Sequence, residues 1–210
     1  MAFAARTRRP PRTLTDAETA RLLKVTGEHR DGFRDHLIIS LALGCALRES
    51  EIVGLDFRDV TRDGRTPKRT IHLRTFKGSK RDGASAEGQR VPLPDGCFYK
   101  LEKYLRIVLP GSGAHPELTP EAPLFESREG HRLSDRRVRS LFRRWQEVAG
   151  FSKPYHFHAL RHTSLTNLYR STRDINLVSR FARHASIVTT TIYAHVSDED
   201  VLRAAKGLAS

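Results

Sequence analysis

Apolar residues recur along this chain at two periods, helical and alternating, and the switches between them divide it into elements. Residues 1–13 offer little to bury; Arg6, Arg8, Arg9 and Arg12 with Pro10 and Pro11 read as a basic flexible arm. At Thr15-Asp16-Ala17-Glu18 the chain has a capping-box arrangement, in which the hydroxyl and the carboxylate each satisfy a free backbone amide at a helix start. Phe33, Leu37, Ile38 and Leu41 predict a second helix over 33–43, and Ile52, Val53 and Leu55 turn inward from a short one over 49–55. The period then becomes alternating over 69–76, with 89–93 as a hairpin partner, and residues 77–88 between them form a polar loop holding three glycines. Asp95 is placed to cap a helix running to about residue 108, and 111–123, with Pro116, Pro120 and Pro123, reads as a loop. Helical spacing returns over 134–149, where Val138, Leu141, Phe142, Trp145 and Val148 share one side and Arg136, Arg137, Arg139, Arg143 and Arg144 the other. Further helices are expected over 157–170, 174–183 and 197–207. The pattern predicts an α+β fold: one mainly α-helical domain over 14–210 with a small antiparallel sheet, no internal repeat and no boundary after the arm.

Composition narrows this picture. The 210 residues suffice for one full-sized domain or at most two small ones. Thirty-seven Lys and Arg against 24 Asp and Glu leave a net charge of +13, which favours a polyanionic partner, either nucleic acid or an anionic membrane surface. A mean hydropathy of −0.50 with no long apolar run argues against a membrane span. The opening MAFAARTRRPP has no stretch of signal-peptide length, so a cytoplasmic, nucleoid-associated protein is expected. Two cysteines, Cys45 in an apolar run and Cys97 beside a turn, do not suggest a disulfide framework.

The stretch Tyr155-His-Phe-His-Ala-Leu-Arg-His-Thr163 carries the most chemistry. On a helix His158 and Arg161 share a face, one a titratable imidazole and the other a fixed, forked cation suited to phosphate. Taken alone the pair reads more simply as a satisfied surface histidine beside a solvated arginine. His158 and His162 have the spacing of a helical zinc pair, but no Cys or acidic third ligand lies near and the surroundings are cationic, so no metal site is assigned.

Context gives the pair meaning. His158-Ala-Leu-Arg161 is followed by Ala182-Arg-His184 and by Thr189-Thr-Thr-Ile-Tyr193; His184 lies 23 residues after Arg161, and Tyr193 nine after His184. Upstream stand Leu43-Gly-Cys-Ala-Leu-Arg48-Glu-Ser-Glu51 and Thr75-Phe-Lys77-Gly-Ser-Lys80. This ordered series, over residues 14 to about 205, resembles the tyrosine recombinase (phage integrase) family. The resemblance implies a catalytic domain that cuts and rejoins double-stranded DNA through a 3′-phosphotyrosyl intermediate. It makes Tyr193 the nucleophile, Arg48 and Arg161 the phosphate clamp and His158 the base. Lys77 becomes the acid at the leaving 5′ oxygen, with Lys80 as its rival, and His184 a hydrogen-bond donor to the phosphate. Glu51 supports Arg48 or a histidine. No metal or cofactor is implied, because the cations are built in. Arg8, Arg9, Lys80 and the arginine face of 136–144 are assigned to the DNA backbone. The 197–207 helix is assigned to docking between protomers of a tetrameric synapse. Two other readings stay open, a type IB topoisomerase-like activity and a silent DNA-binding module.

The chain departs from the family pattern in four places. Only about 13 residues precede the catalytic-type segment, so the usual N-terminal domain has either been cut away or never existed, as in the one-domain invertases of bacterial fimbrial switches. The hairpin loop from Lys77 to Val91 is about twice the usual length. Arg183 stands where Gly usually precedes the histidine, and Cys45-Ala46 replaces Thr-Gly. A Gly before the histidine would suit a left-handed helix terminus, so position 183 is a test of the local backbone.

Overall fold

The computed structural model describes residues 11–30, 32–74, 88–109, 119–184 and 187–193. Arg8, Arg9, Lys77, Lys80 and the expected helix over 197–207 lie outside the described residues. The rest is mainly helical with a two-stranded antiparallel sheet.

Helix α1 (Asp16–Glu28) starts as the capping box requires: Thr15 Oγ1 accepts from the Glu18 amide at 3.2 Å, and Glu18 Oε2 from the Thr15 amide at 2.9 Å. Helix α2 (Phe33–Gly44) is buried without a break from Asp35 to Ala42, and α1, α3, α5 and α6 all pack on it. Its run of Leu37, Ile38, Ile39 and Leu41 therefore makes it the axis of the core. Helix α3 (Glu49–Val53) follows, then a single turn α4 (Phe57–Val60) that hydropathy did not reveal. Four residues are too few to display a period. The turn is tied down instead by Phe57 N–H donating to the Ala122 carbonyl at 3.1 Å.

Strands β1 (Thr70–Leu73) and β2 (Gln89–Pro92) pair antiparallel with Ile71 opposite Val91, which puts Ile71, Leu73 and Val91 inside. Gly88 opens β2 at φ +67°, and a Cβ there would lie 2.6 Å from the Leu73 carbonyl oxygen, so the return of the hairpin needs glycine. Helix α5 (Asp95–Val108) corrects the expected cap: Pro94 occupies the cap position, and Asp95, the first helical residue, pairs its carboxylate with Arg69. Helix α6 (Asp135–Val148) is capped by Ser134 and buries Val138, Leu141, Phe142 and Trp145. Val148, expected on that side, is 53% exposed. The chain turns at Ala149 and Gly150, whose amides bond back to Trp145 and Glu147, and Ala149 takes the inward position. Trp145 satisfies its indole N–H on Asp35 at 2.8 Å, which lets both groups be buried.

Helix α7 (His158–Thr172) and helix α8 (Ile175–Ala182) complete the helical set, with 3-10 turns at Ile187–Thr189 and Thr191–Tyr193. Asp174 caps α8 by accepting from the Asn176 amide at 2.8 Å and the Leu177 amide at 3.1 Å. The described residues form two compact units, one over 12–164 and one from residue 165 onward. Hydropathy marks no boundary there, because unbroken helical sequence runs through that point. No described helix is long and apolar enough to cross a membrane.

Candidate active site

In the first unit the geometry starts where α2 ends. Cys45 is the C-cap, and Ala46 then adopts φ +48°, a left-handed conformation that costs a residue with a Cβ about 1–2 kcal/mol. That turn delivers Arg48 to the N-cap position of α3. Glu51, one turn on, holds it twice: Oε2 accepts from the Arg48 amide at 2.8 Å and Oε1 from its guanidinium at 2.6 Å. The Glu51 side chain is 1% exposed and that of Arg48 is 19% exposed, so the carboxylate is sealed in while part of the cation faces out.

Arg161, in the first turn of α7, is a fully buried charge, 1% exposed. A buried guanidinium must be given acceptors, and one of them is the Ala46 carbonyl. The two arginine motifs, 115 residues apart between those partners, are thus joined by a direct bond to the strained turn. His158, one turn before Arg161, is exposed, and its ring meets that of His162 edge to face at 4.6 Å. Among the described residues no three His, Cys, Asp or Glu side chains gather where they could hold a metal ion.

In the second unit α8 ends at Arg183, whose φ of +55° and ψ of +43° are left-handed. The backbone thus takes the glycine-type terminus without glycine, and the His184 amide bonds back to the Ser179 carbonyl at 3.2 Å. Both positions where this chain replaces an expected glycine therefore keep the conformation glycine would have favoured. His184 Nδ1 lies 2.9 Å from Thr190 Oγ1, and the Tyr193 amide donates to the Thr190 carbonyl at 3.0 Å. Thr190, fully buried, links the histidine turn to the tyrosine turn. Sequence reasoning missed it, and the only hint was the Thr189-Thr190-Thr191 run. Tyr193 is 5% exposed.

The five arginines of α6 are all exposed, but they are not equivalent. Arg139 pairs with Glu49 at 2.6 Å, Arg143 with Glu147 at 3.5 Å, and Arg144 lies 5.3 Å from the Trp145 ring centroid. Burial raises the Glu49 pKa, with Arg139 opposing that rise. Beside Arg139 and Arg143 a cleft of about 310 Å³ runs along Phe142 and Pro154 to Phe157. At the foot of the arm Arg12 stacks 4.0 Å from the centre of the Tyr155 ring and donates to the Pro154 carbonyl at 3.2 Å.

A model described as the phage integrase family matches residues 12–200. Tyrosine recombinase XerC of Caldanaerobacter subterraneus subsp. tengcongensis is 32% identical over 199 residues, covering 93% of this chain and 50% of that protein. Its namesake from Vibrio parahaemolyticus is 32% identical over 206 residues, covering 96% of this chain and 60% of that protein. The chain thus spans 50–60% of the length of these relatives. Among solved structures, XerA recombinase aligns at 24% identity with a TM-score of 0.73, over 97% of this chain and 67% of that one. XerH bound to its difH substrate aligns at 23% identity with a TM-score of 0.71, over 94% and 55%. These two likenesses are of fold, and with the match over 12–200 the chain belongs to the phage integrase family.

Proposed function

We propose that this chain is the catalytic part of a site-specific DNA recombinase that cleaves and rejoins strands through Tyr193. The observation that carries the reading is the bond from Arg161 to the Ala46 carbonyl, which ties the two arginine motifs into one rigid corner of the first unit. A phosphodiester under attack becomes a pentacoordinate phosphorane with charge on its non-bridging oxygens, and preorganised guanidinium groups stabilise that charge with forked, charge-assisted hydrogen bonds. Arg48 and Arg161 take that role. Glu51 holds Arg48 in one orientation, so little ordering is left for the moment of reaction.

The Tyr193 oxygen attacks phosphorus while His158 accepts the phenol proton, since a phenol with an ordinary pKa of about 10 is a weak nucleophile. The bond to the 5′ oxygen breaks, Lys77 protonates that oxygen, and the products are a 3′-phosphotyrosyl protein and a free 5′ hydroxyl. His184 donates to the phosphate from a ring set by Thr190. The phosphotyrosyl bond conserves the energy of the phosphodiester, so a 5′ hydroxyl from another duplex can reverse the attack and join new partners. Exchange between two sites takes four protomers on DNA, with the 197–207 segment as the contact between neighbours. The relatives named tyrosine recombinase and the net charge of +13 support duplex DNA as the partner.

The test is a nicked suicide duplex carrying a site that this protein selects from a randomised library. Wild type is expected to leave a covalent adduct on a denaturing gel, and Tyr193→Phe none. An adduct from Tyr193→Phe, or none from wild type on a site it binds, refutes the nucleophile.

A further inference from the structure

One cluster of charges in the first unit has no part in the reading above. Asp56 and Asp59, at the start of α4, have side chains only 5% and 2% exposed. Buried carboxylates must be matched by cations and donors, and here two arginines supply them. Arg74, the residue just past β1, donates through Nε to Asp59 Oδ1 at 2.7 Å and through Nη2 to Asp59 Oδ2 at 2.8 Å. The same Nη2 also bonds Asp56. Hydrogen bonding to Asp59, aided by the charge of both carboxylates, raises the pKa of this guanidinium further. Arg132 takes the other Asp56 oxygen at 2.5 Å and donates to the carbonyls of Val53 at 2.8 Å and Leu55 at 3.1 Å. Arg58 lies 3.7 Å from Asp56.

The cluster has a mechanical consequence. Through Arg132 it grips the C-terminal end of α3, the helix whose N-cap is Arg48. Through Arg74 it grips the end of β1, three residues before Lys77. A planar fork bonded to two carboxylates fixes both the position and the direction of the chain at residue 74, which a lysine's single point charge would not do.

We propose that Arg74 is a positioning residue for the cleavage reaction, fixing the point from which the chain departs toward Lys77 relative to the helix that carries Arg48. This rests on the reading of Lys77 as the acid that protonates the leaving 5′ oxygen. Arg74 touches no reacting atom; it acts through the lysine.

The leaving group separates this role from a merely structural one. A 5′-bridging phosphorothiolate releases a thiolate, which needs no proton, so a defect confined to general acid catalysis disappears on that substrate. Single-turnover cleavage of the selected suicide duplex is measured with oxygen and with sulfur at the bridging position, for wild type, Lys77→Ala and Arg74→Lys. Lys77→Ala is expected to lose on the order of a hundredfold with oxygen and to recover with sulfur. Arg74→Lys keeps the charge and loses the fork; it is expected to lose about tenfold with oxygen and to come within about threefold of wild type with sulfur. DNA affinity is expected to stay unchanged.

Equal losses of Arg74→Lys on both substrates, or no loss on oxygen, overturn the proposal and leave Lys77 standing. A Lys77→Ala variant slow on both substrates removes the reading of Lys77 and the proposal with it. Asp59→Asn loosens the Arg74 fork while leaving the bonds from Arg132 to Val53 and Leu55 in place, and serves if Arg74→Lys does not fold. It is expected to show the same oxygen-selective loss, and equal losses on both substrates count against the proposal in the same way.

Discussion

Ala46 and Arg183 hold left-handed backbone without being glycine, and they make different predictions for one substitution. Arg183 has φ +55° and Ala46 φ +48°. A Cβ in that region costs about 1–2 kcal/mol, and replacing it with glycine returns that energy less about 0.4–1 kcal/mol for the freer unfolded chain. At position 183 side-chain contacts change as well, so the informative quantity is the difference between Arg183→Gly and Arg183→Ala, which remove the same side chain beyond Cβ. Glycine should be the more stable of the two by about 0.5–1 kcal/mol, roughly 1–4 °C in melting temperature for a chain of this size. At position 46 the methyl is fully buried, and its removal forfeits about a further 0.8 kcal/mol, so Ala46→Gly should be close to neutral. Urea and thermal unfolding followed by circular dichroism read both differences. If Arg183→Ala matches or exceeds Arg183→Gly, the backbone is not under the strain assigned to it. A gain of more than about 1 kcal/mol for Ala46→Gly would show that the buried methyl contributes nothing.

Other outcomes follow from the same contacts. Burial, with Lys100 and Lys103 nearby, lowers the His36 pKa from 6.5 to about 4. The unfolded chain therefore takes up a proton that the folded chain refuses, and stability should be full above about pH 6.5, fall as pH drops toward 4 and level off below. The loss is at most about 3 kcal/mol and should be absent in His36→Gln, as pH-dependent urea midpoints will report. Cys45 and Cys97 are both buried, so a thiol reagent should label neither in the native protein and both in urea. Fast native labelling would contradict the packing at the end of α2. On DNA, Arg136→Ala with Arg137→Ala should lower the slope of log K against log salt by roughly two. Arg139→Ala should lower it by less, since its charge is already shared with Glu49. A full loss for Arg139 would mean that the ion pair opens on DNA.

Much of the fold was legible in the order of residues. Local signals do not depend on distant chain: the Thr15 capping box, the periodic apolar residues of α2 and α6, and the alternation of β1 each act over a few neighbours. The candidate residues could be named for a related reason, since Arg48, His158, Arg161, His184 and Tyr193 form an ordered series that resembles the phage integrase family. The single turn α4 was not, because one turn displays no period and is held by the carbonyl of Ala122, 65 residues away in sequence. Val148 was misread because its helix ends there, where Ala149 takes the inward place.

By itself the sequence determined which segments coil, which alternate, and which side chains could meet a phosphate. Only the tertiary structure decided what those side chains hold. It spends Arg161 partly on the Ala46 carbonyl, Arg139 on Glu49, and Arg74 with Arg132 on two buried carboxylates. The reason is physical: an arginine looks the same in a sequence whether it faces solvent, DNA or a buried carboxylate. Its role is fixed by the dielectric and the acceptors around it, and folding alone brings those together.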